Sequence, residues 1–143
     1  CLKGSVSIDG EVVGSIQDGE VIFVGFTQDD DEKIADRMLE KMLKLRIFKD
    51  ESGKTNLNLA QHGGRILCIS QFTLYADLSQ GNRPSFVNAL GGELSEPLYD
   101  YFCKKLLERM PDTQFGRFGA DMKVSLVNDG PFTILLDSKE IFR

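Results

Sequence analysis

Ser5-Val6-Ser7-Ile8-Asp9-Gly10-Glu11-Val12-Val13-Gly14-Ser15-Ile16 is the stretch on which the fold turns. Val6 and Ile8 point one way and Ser5 and Ser7 the other, the period-two alternation of a half-buried strand. Asp9-Gly10 then supplies two residues that tolerate positive φ, so residues 5–9 and 11–16 are predicted to form a hairpin. A second such pair, Asp18-Gly19, precedes the apolar residues 21–26 and extends the prediction to a three-stranded antiparallel meander.

Beyond the meander, Gln28-Asp29-Asp30-Asp31-Glu32 leads into Ile34, Ala35, Met38, Leu39, Met42 and Leu45 at helical spacing, with Lys41, Lys44 and Arg46 towards the far end. Carboxylates at the head of a helix and cations at its tail complement the macrodipole, so the acidic run reads as a helix start and not as a metal loop. Residues 46–49 read as a short strand, 50–54 as a turn and 56–59 as another alternating piece. Ile66, Leu67, Cys68 and Ile69, within residues 65–72, form an unbroken apolar run, the signature of a central strand buried on both faces. Residues 77–92, rich in Gly, Ser, Asn and Pro, read as a long surface loop of the kind that often carries function. Leu94, Leu98, Tyr101, Phe102, Leu106 and Met110 mark a second amphipathic helix stopped by Pro111. Residues 120–127 and 132–137 read as closing strands around an Asn128-Asp129-Gly130-Pro131 turn. This order predicts an α+β domain on a mostly antiparallel, curved sheet with two amphipathic helices.

At 143 residues and 41% hydrophobic content, the chain is expected to form a single domain over residues 1–143. It opens on Cys1 and runs directly into strand alternation, which reads as a first strand lacking its start, not as a signal peptide. No run approaches the roughly 20 apolar residues of a membrane helix, so no membrane partner is expected. Cys1, Cys68 and Cys103 are odd in number and scattered, which indicates neither a disulfide framework nor a zinc site and suits a reducing, cytoplasmic setting. With 22 acidic against 17 basic residues, the net charge of -5 argues against coating long stretches of DNA or RNA, and is compatible with gripping one end of an RNA.

For chemistry, the single histidine, His62, beside Gly63-Gly64, reads as a solvated loop residue and not as the base of a triad. No metal-ligand pattern and no phosphate-cradling loop is present, so neither a metal nor a cofactor is expected. What remains is Ser70, Gln71 and Thr73 at the end of the apolar run, and the main chain around Gly130 and Pro131. These groups do not titrate near neutral pH, but with nearby amides they can orient a substrate and stabilise charge developing on a carbonyl oxygen, which suits an already reactive ester. Read from composition alone, Phe72 and Leu74 are equally core residues with polar neighbours capping a strand end, and turn statistics favour an ordinary trans turn at Gly130-Pro131.

Ser70-Gln71-Phe72-Thr73-Leu74-Tyr75-Ala76-Asp77, Gly81-Asn82-Arg83-Pro84-Ser85-Phe86, Gly116-Arg117-Phe118-Gly119-Ala120-Asp121-Met122 and Asn128-Asp129-Gly130-Pro131-Phe132-Thr133 together resemble the D-aminoacyl-tRNA deacylases, from the first hairpin through Asp137. The resemblance implies that family's barrel-like fold and hydrolysis of the ester joining a D-amino acid or glycine to the 3′-terminal ribose of tRNA. It implies a homodimer in which Ser70, Gln71, Phe72 and Thr73 of one subunit face Gly130 and Pro131 of the other, with a cis Gly-Pro bond whose carbonyls exclude an L side chain. By the same resemblance Asn128, Thr133, Phe118 and Met122 belong to the substrate pocket. The implied mechanism is water attack assisted by the substrate's own 2′-hydroxyl, with main-chain amides near Phe72 as oxyanion donors; Thr73 as a covalent nucleophile competes but lacks a base. Arg83, Arg117 and Lys123 are candidates for holding the acceptor end. The family pattern also carries a Gln-Arg pair just ahead of the segment that begins here at Cys1, and that arginine is absent. Two other readings remain: a deacylase of relaxed chirality, and a dimeric small-molecule-binding module without turnover.

Overall fold

The computed structural model describes residues 1–142. Strand β1 (Lys3–Ile8) and strand β2 (Glu11–Ile16) form the predicted hairpin, with Asp9 at φ 50° and Gly10 at φ 81° in the turn between them. Strand β3 (Gly19–Val24) does not continue it. Helix α1 (Glu32–Lys44) follows, begun by the Asp31 carboxylate accepting from Ile34 N–H, as the acidic run predicted. A short hairpin of β4 (Phe48–Lys49) and β5 (Thr55–Leu57) leads to the one-turn helix α2 (Leu59–His62), then to β6 (Arg65–Ser70). After a 3₁₀ turn (Phe72–Tyr75) and a long loop come helix α3 (Gly92–Arg109), β7 (Gln114–Phe115), β8 (Lys123–Val127) and a last one-turn helix α4 (Ser138–Ile141).

The fold is α+β, with three separate sheets. One is antiparallel in the order β2-β1-β8, one runs β3-β6-β7 with both pairings parallel, and the third is the β4-β5 hairpin. No closed sheet joins them among the described residues. The expected meander and the mostly antiparallel character are therefore corrected at the centre: β3 leaves β2 and pairs in parallel with β6, Val21 opposite Leu67 and Phe23 opposite Ile69. The glycine read as a turn residue serves a different end. A Cβ on Gly19 would lie 1.9 Å from the Arg65 carbonyl oxygen, so only glycine lets β3 start this close to β6.

Strand β6 is the axis of the core. Ile66 and Cys68 face α1 and α3, where they join Leu39, Leu98, Phe102 and Leu106. Leu67 and Ile69 face the first sheet and meet Val6 and Ile16. The unbroken apolar run thus fills two cores at once, one per face, as a strand covered on both sides must. Residues 132–137, predicted to be a strand, form no ladder among the described residues, and Phe132, Ile134 and Leu135 are exposed.

Candidate active site

The ladder between β3 and β6 ends one residue past β6, where Gln71 N–H donates to the Val24 carbonyl at 2.7 Å. The chain then tightens into the 3₁₀ turn. Leu74 N–H reaches back to the Gln71 carbonyl at 3.5 Å and Ala76 N–H to the Thr73 carbonyl at 3.1 Å. The first amides of such a turn have no partner inside it. A capping side chain would consume them, but Gln71 makes no cap bond; its Nε2 donates instead to Thr73 Oγ1 at 3.0 Å. Ser70, Gln71, Phe72 and Thr73 therefore come together as an open strand end in which one side-chain pair is fixed and the Phe72 and Thr73 amides have no partner among the described residues.

The second motif is equally self-contained. Asn128 Nδ2 donates to Thr133 Oγ1 at 2.8 Å while Asn128 Oδ1 accepts from Phe132 N–H at 2.9 Å, so one side chain ties both ends of the loop. The Gly130–Pro131 bond is cis, as the resemblance implies and against turn statistics. The carbonyls of Asp129 and Gly130 accept no hydrogen bond among the described residues and lie at the exposed tip. Among the described residues no hydrogen bond or ring contact joins this loop to the Ser70–Thr73 corner.

Between them lies the stretch from Gly116 to Met122. Gly116 N–H donates to the Cys68 carbonyl at 3.0 Å, which holds the stretch beside β6. Phe118 packs on Tyr99, ring centres 5.7 Å apart, on the helix side of β6. Met122 packs on the opposite, inter-sheet side, its sulfur 3.4 Å from Arg117 N–H. The two predicted pocket residues thus flank the strand from opposite faces.

The Ser70, Gln71 and Thr73 side chains carry no group that ionises near neutral pH. The nearest perturbed groups are Tyr75, pushed up to about 12 by burial and then by the Asp30 and Asp137 charges, and Asp77, held below the usual carboxylate range by its hydrogen bonds from Ser79. His62 is not the solvated loop residue expected. It ends α2, stacks on Phe48 with ring centres 4.2 Å apart, and places Nε2 2.8 Å from Asp18 Oδ2, with no nucleophile beside it. Among the described residues no group of three or more His, Cys, Asp or Glu is arranged to hold a metal, and no helix is long and apolar enough to cross a membrane. Lys123 is engaged with Asp121 at 3.0 Å, whereas Arg83 and Arg117 are exposed and have no side-chain partner among the described residues. Sequence reasoning passed over Phe86, whose ring meets Phe72 edge to face; its place at the end of Gly81-Asn82-Arg83-Pro84-Ser85-Phe86 was the available signal.

An α+β domain whose open strand end offers uncommitted amides and fixed polar side chains, with no titrating group, is the class of site that polarises a reactive carbonyl without a base of its own. The chain belongs to the D-Tyr-tRNA(Tyr) deacylase family, whose pattern it matches over residues 1–137. It is 48% identical to a D-aminoacyl-tRNA deacylase of Clostridium tetani, over 98% of this chain and 94% of that one. It is 50% identical to the enzyme of the same name from Listeria monocytogenes, over 99% and 93%. Among solved structures it superposes on a protein titled c-Myc DNA Unwinding Element Binding Protein with a TM-score of 0.90 and 37% identity, covering 95% of this chain and 93% of that one. A second, titled a probable eukaryotic D-amino acid tRNA deacylase, shares the fold at a TM-score of 0.75 with 14% identity, over 86% and 87%.

Proposed function

We propose that this protein, acting as one domain, hydrolyses the ester between a D-amino acid or glycine and the 3′-terminal ribose of tRNA, and so proofreads chirality in translation. The observation that carries the reading is the corner at Ser70–Thr73, where amides at the head of a 3₁₀ turn stay open because Gln71 bonds Thr73 and caps nothing. Those amides receive the oxyanion; with no base at hand, the ribose 2′-hydroxyl next to the ester assists the attacking water.

Chirality is read by a second copy. The Asn128-tied loop of the partner, with its uncommitted carbonyls, faces the corner, engages the substrate's amino group and leaves no space for an L side chain. Two reasons support a dimer: within one copy nothing joins the loop to the corner among the described residues, and both carry exposed apolar side chains, Leu74 on one side, Phe132, Ile134 and Leu135 on the other. Pairing about a two-fold axis would also complete the barrel-like packing expected of the family. The setting is the cytoplasm, where tRNA is charged. The net charge of -5 restricts the grip to the acceptor end and disfavours duplex DNA as a partner, so the salt slope of binding is shallow, below that of roughly six phosphates.

The test compares D-tyrosyl-, glycyl- and L-alanyl-tRNA as substrates of the purified protein. Release of the first two with L-alanyl-tRNA spared is the expected result. Equal cleavage of L-alanyl-tRNA replaces it with a deacylase of relaxed chirality, and binding without turnover replaces it with a binding module.

A further inference from the structure

Phe72 and Phe86 form an exposed aromatic corner whose use is not explained by the ester chemistry. Their ring centres lie 5.1 Å apart with planes inclined at 71°. In such an edge-to-face pair the ring that offers its edge keeps both of its own faces open. The faces are reachable, for Phe72 is 57% and Phe86 40% exposed. The corner is also built, not loose. Phe72 opens the 3₁₀ turn that follows the central strand, and Phe86 follows Ser85, which is locked to Asp77 by a reciprocal pair of backbone bonds at 2.7 and 3.0 Å. Three residues before Phe86, the same loop carries Arg83, exposed and without a side-chain partner. Asp77, the one acidic side chain of that loop, is already occupied by Ser79 N–H and Oγ.

Open aromatic faces with an exposed arginine three residues away in the same loop offer what holding one unpaired nucleotide needs, a ring for the base and a cation for the phosphate. We propose that the Phe72–Phe86 corner stacks the base next to the terminal adenosine of the acceptor strand, with Arg83 meeting that nucleotide's phosphate. This rests on the deacylase reading and adds a subsite to it. The two rings and Arg83 touch no reacting atom; of these residues only the Phe72 main chain belongs to the oxyanion corner. The subsite raises the local concentration of the ester at the Ser70–Thr73 corner and favours tRNA over a free aminoacyl nucleoside, without reading sequence, because every base has a face to stack.

The test uses the full chain and two substrates, D-tyrosyl-tRNA and D-tyrosyl-adenosine esterified at the ribose. The measured quantity is the ratio of kcat/KM for the first to that for the second, in wild type, Phe86→Leu, Phe86→Tyr and Arg83→Gln. Phe86→Leu keeps apolar bulk but loses the flat face, and is expected to lower the ratio about ten-fold through KM. Phe86→Tyr is expected to restore it, and Arg83→Gln to lower it while reducing the salt slope by about one phosphate. An equal ratio in Phe86→Leu and wild type, or a Leu variant as good as the Tyr variant, overturns the subsite. So does dissociation of Phe86→Leu to monomers in sedimentation, which assigns the ring to subunit contact. Failure of the wild type to cleave either ester sinks the deacylase reading instead, so the two failures are told apart.

Discussion

Strand β6 and the stretch 132–136 are written in much the same alphabet and end in opposite places. Ile66, Leu67 and Cys68 are 0% exposed, whereas Leu135 is 82% exposed and Phe132 and Ile134 are also out in solvent. Hydropathy does not separate them; neighbours do. β6 has a strand on each edge and a core on each face, while 132–136 has no ladder partner among the described residues, is tied at its start by Asn128 and touches the core at its far end through Leu136. An apolar residue in the first place holds the domain together, and in the second it adds little to the core and is left on the surface.

The sharpest way to break that contrast is to truncate one residue from each region. Leu67→Ala is expected to cost about 3 kcal/mol in chemical denaturation, because it leaves a cavity between two sheets. Leu135→Ala is expected to cost under about 0.5 kcal/mol of domain stability and, if the proposed dimer forms through this stretch, to weaken it in sedimentation instead. Equal destabilisation by the two would show that 132–136 packs as core after all.

A slightly smaller effect is expected from Glu20, which sits on β3 with Oε1 buried and unbonded. Burial raises its carboxyl from 4.5 to about 7, and the Cys1 ammonium offsets only part of this. A carboxyl raised by folding gives stability that is complete below its unfolded value and is lost as pH climbs through the folded one. Stability should therefore fall between about pH 4.5 and 7, by about 2–3 kcal/mol in the limit. Glu20→Gln should flatten that slope in urea melts run across the window; an unchanged slope would mean that Glu20 is hydrated.

Next comes the tie of the exposed loop. Asn128→Ala removes both bonds that close it and is expected to lower kcat/KM for D-tyrosyl-tRNA about ten-fold while leaving the melting midpoint within a degree or two. A large fall in melting temperature would mean that the loop also supports the core. Smallest of all, Asp18→Ala unpairs the partly exposed His62 and should cost about 0.5–1 kcal/mol with no change in deacylation.

Much of the fold was legible because its signals are local. Asp9-Gly10 specifies a hairpin turn by φ alone, Asp31 and the spacing from Ile34 to Met42 specify α1, and Pro111 lies just past the end of α3. The site was legible as two motifs at strand ends, but not as geometry: neither the Gln71–Thr73 bond nor the double tie of Asn128 is visible in spacing. His62 misled because the Phe48 ring and the Asp18 carboxylate that occupy it come from elsewhere in the chain.

What the chain determined unaided is every choice settled within a few residues: turns that need positive φ, helix starts that need a side-chain acceptor, and a run too apolar to face water. Tertiary structure alone decided that β3 pairs in parallel with β6, that Gly19 at the start of β3 serves close approach, and that residues 132–137 form no ladder among the described residues. Strand partners are chosen by contacts distant in sequence, and an apolar residue carries no mark of which neighbour will cover it.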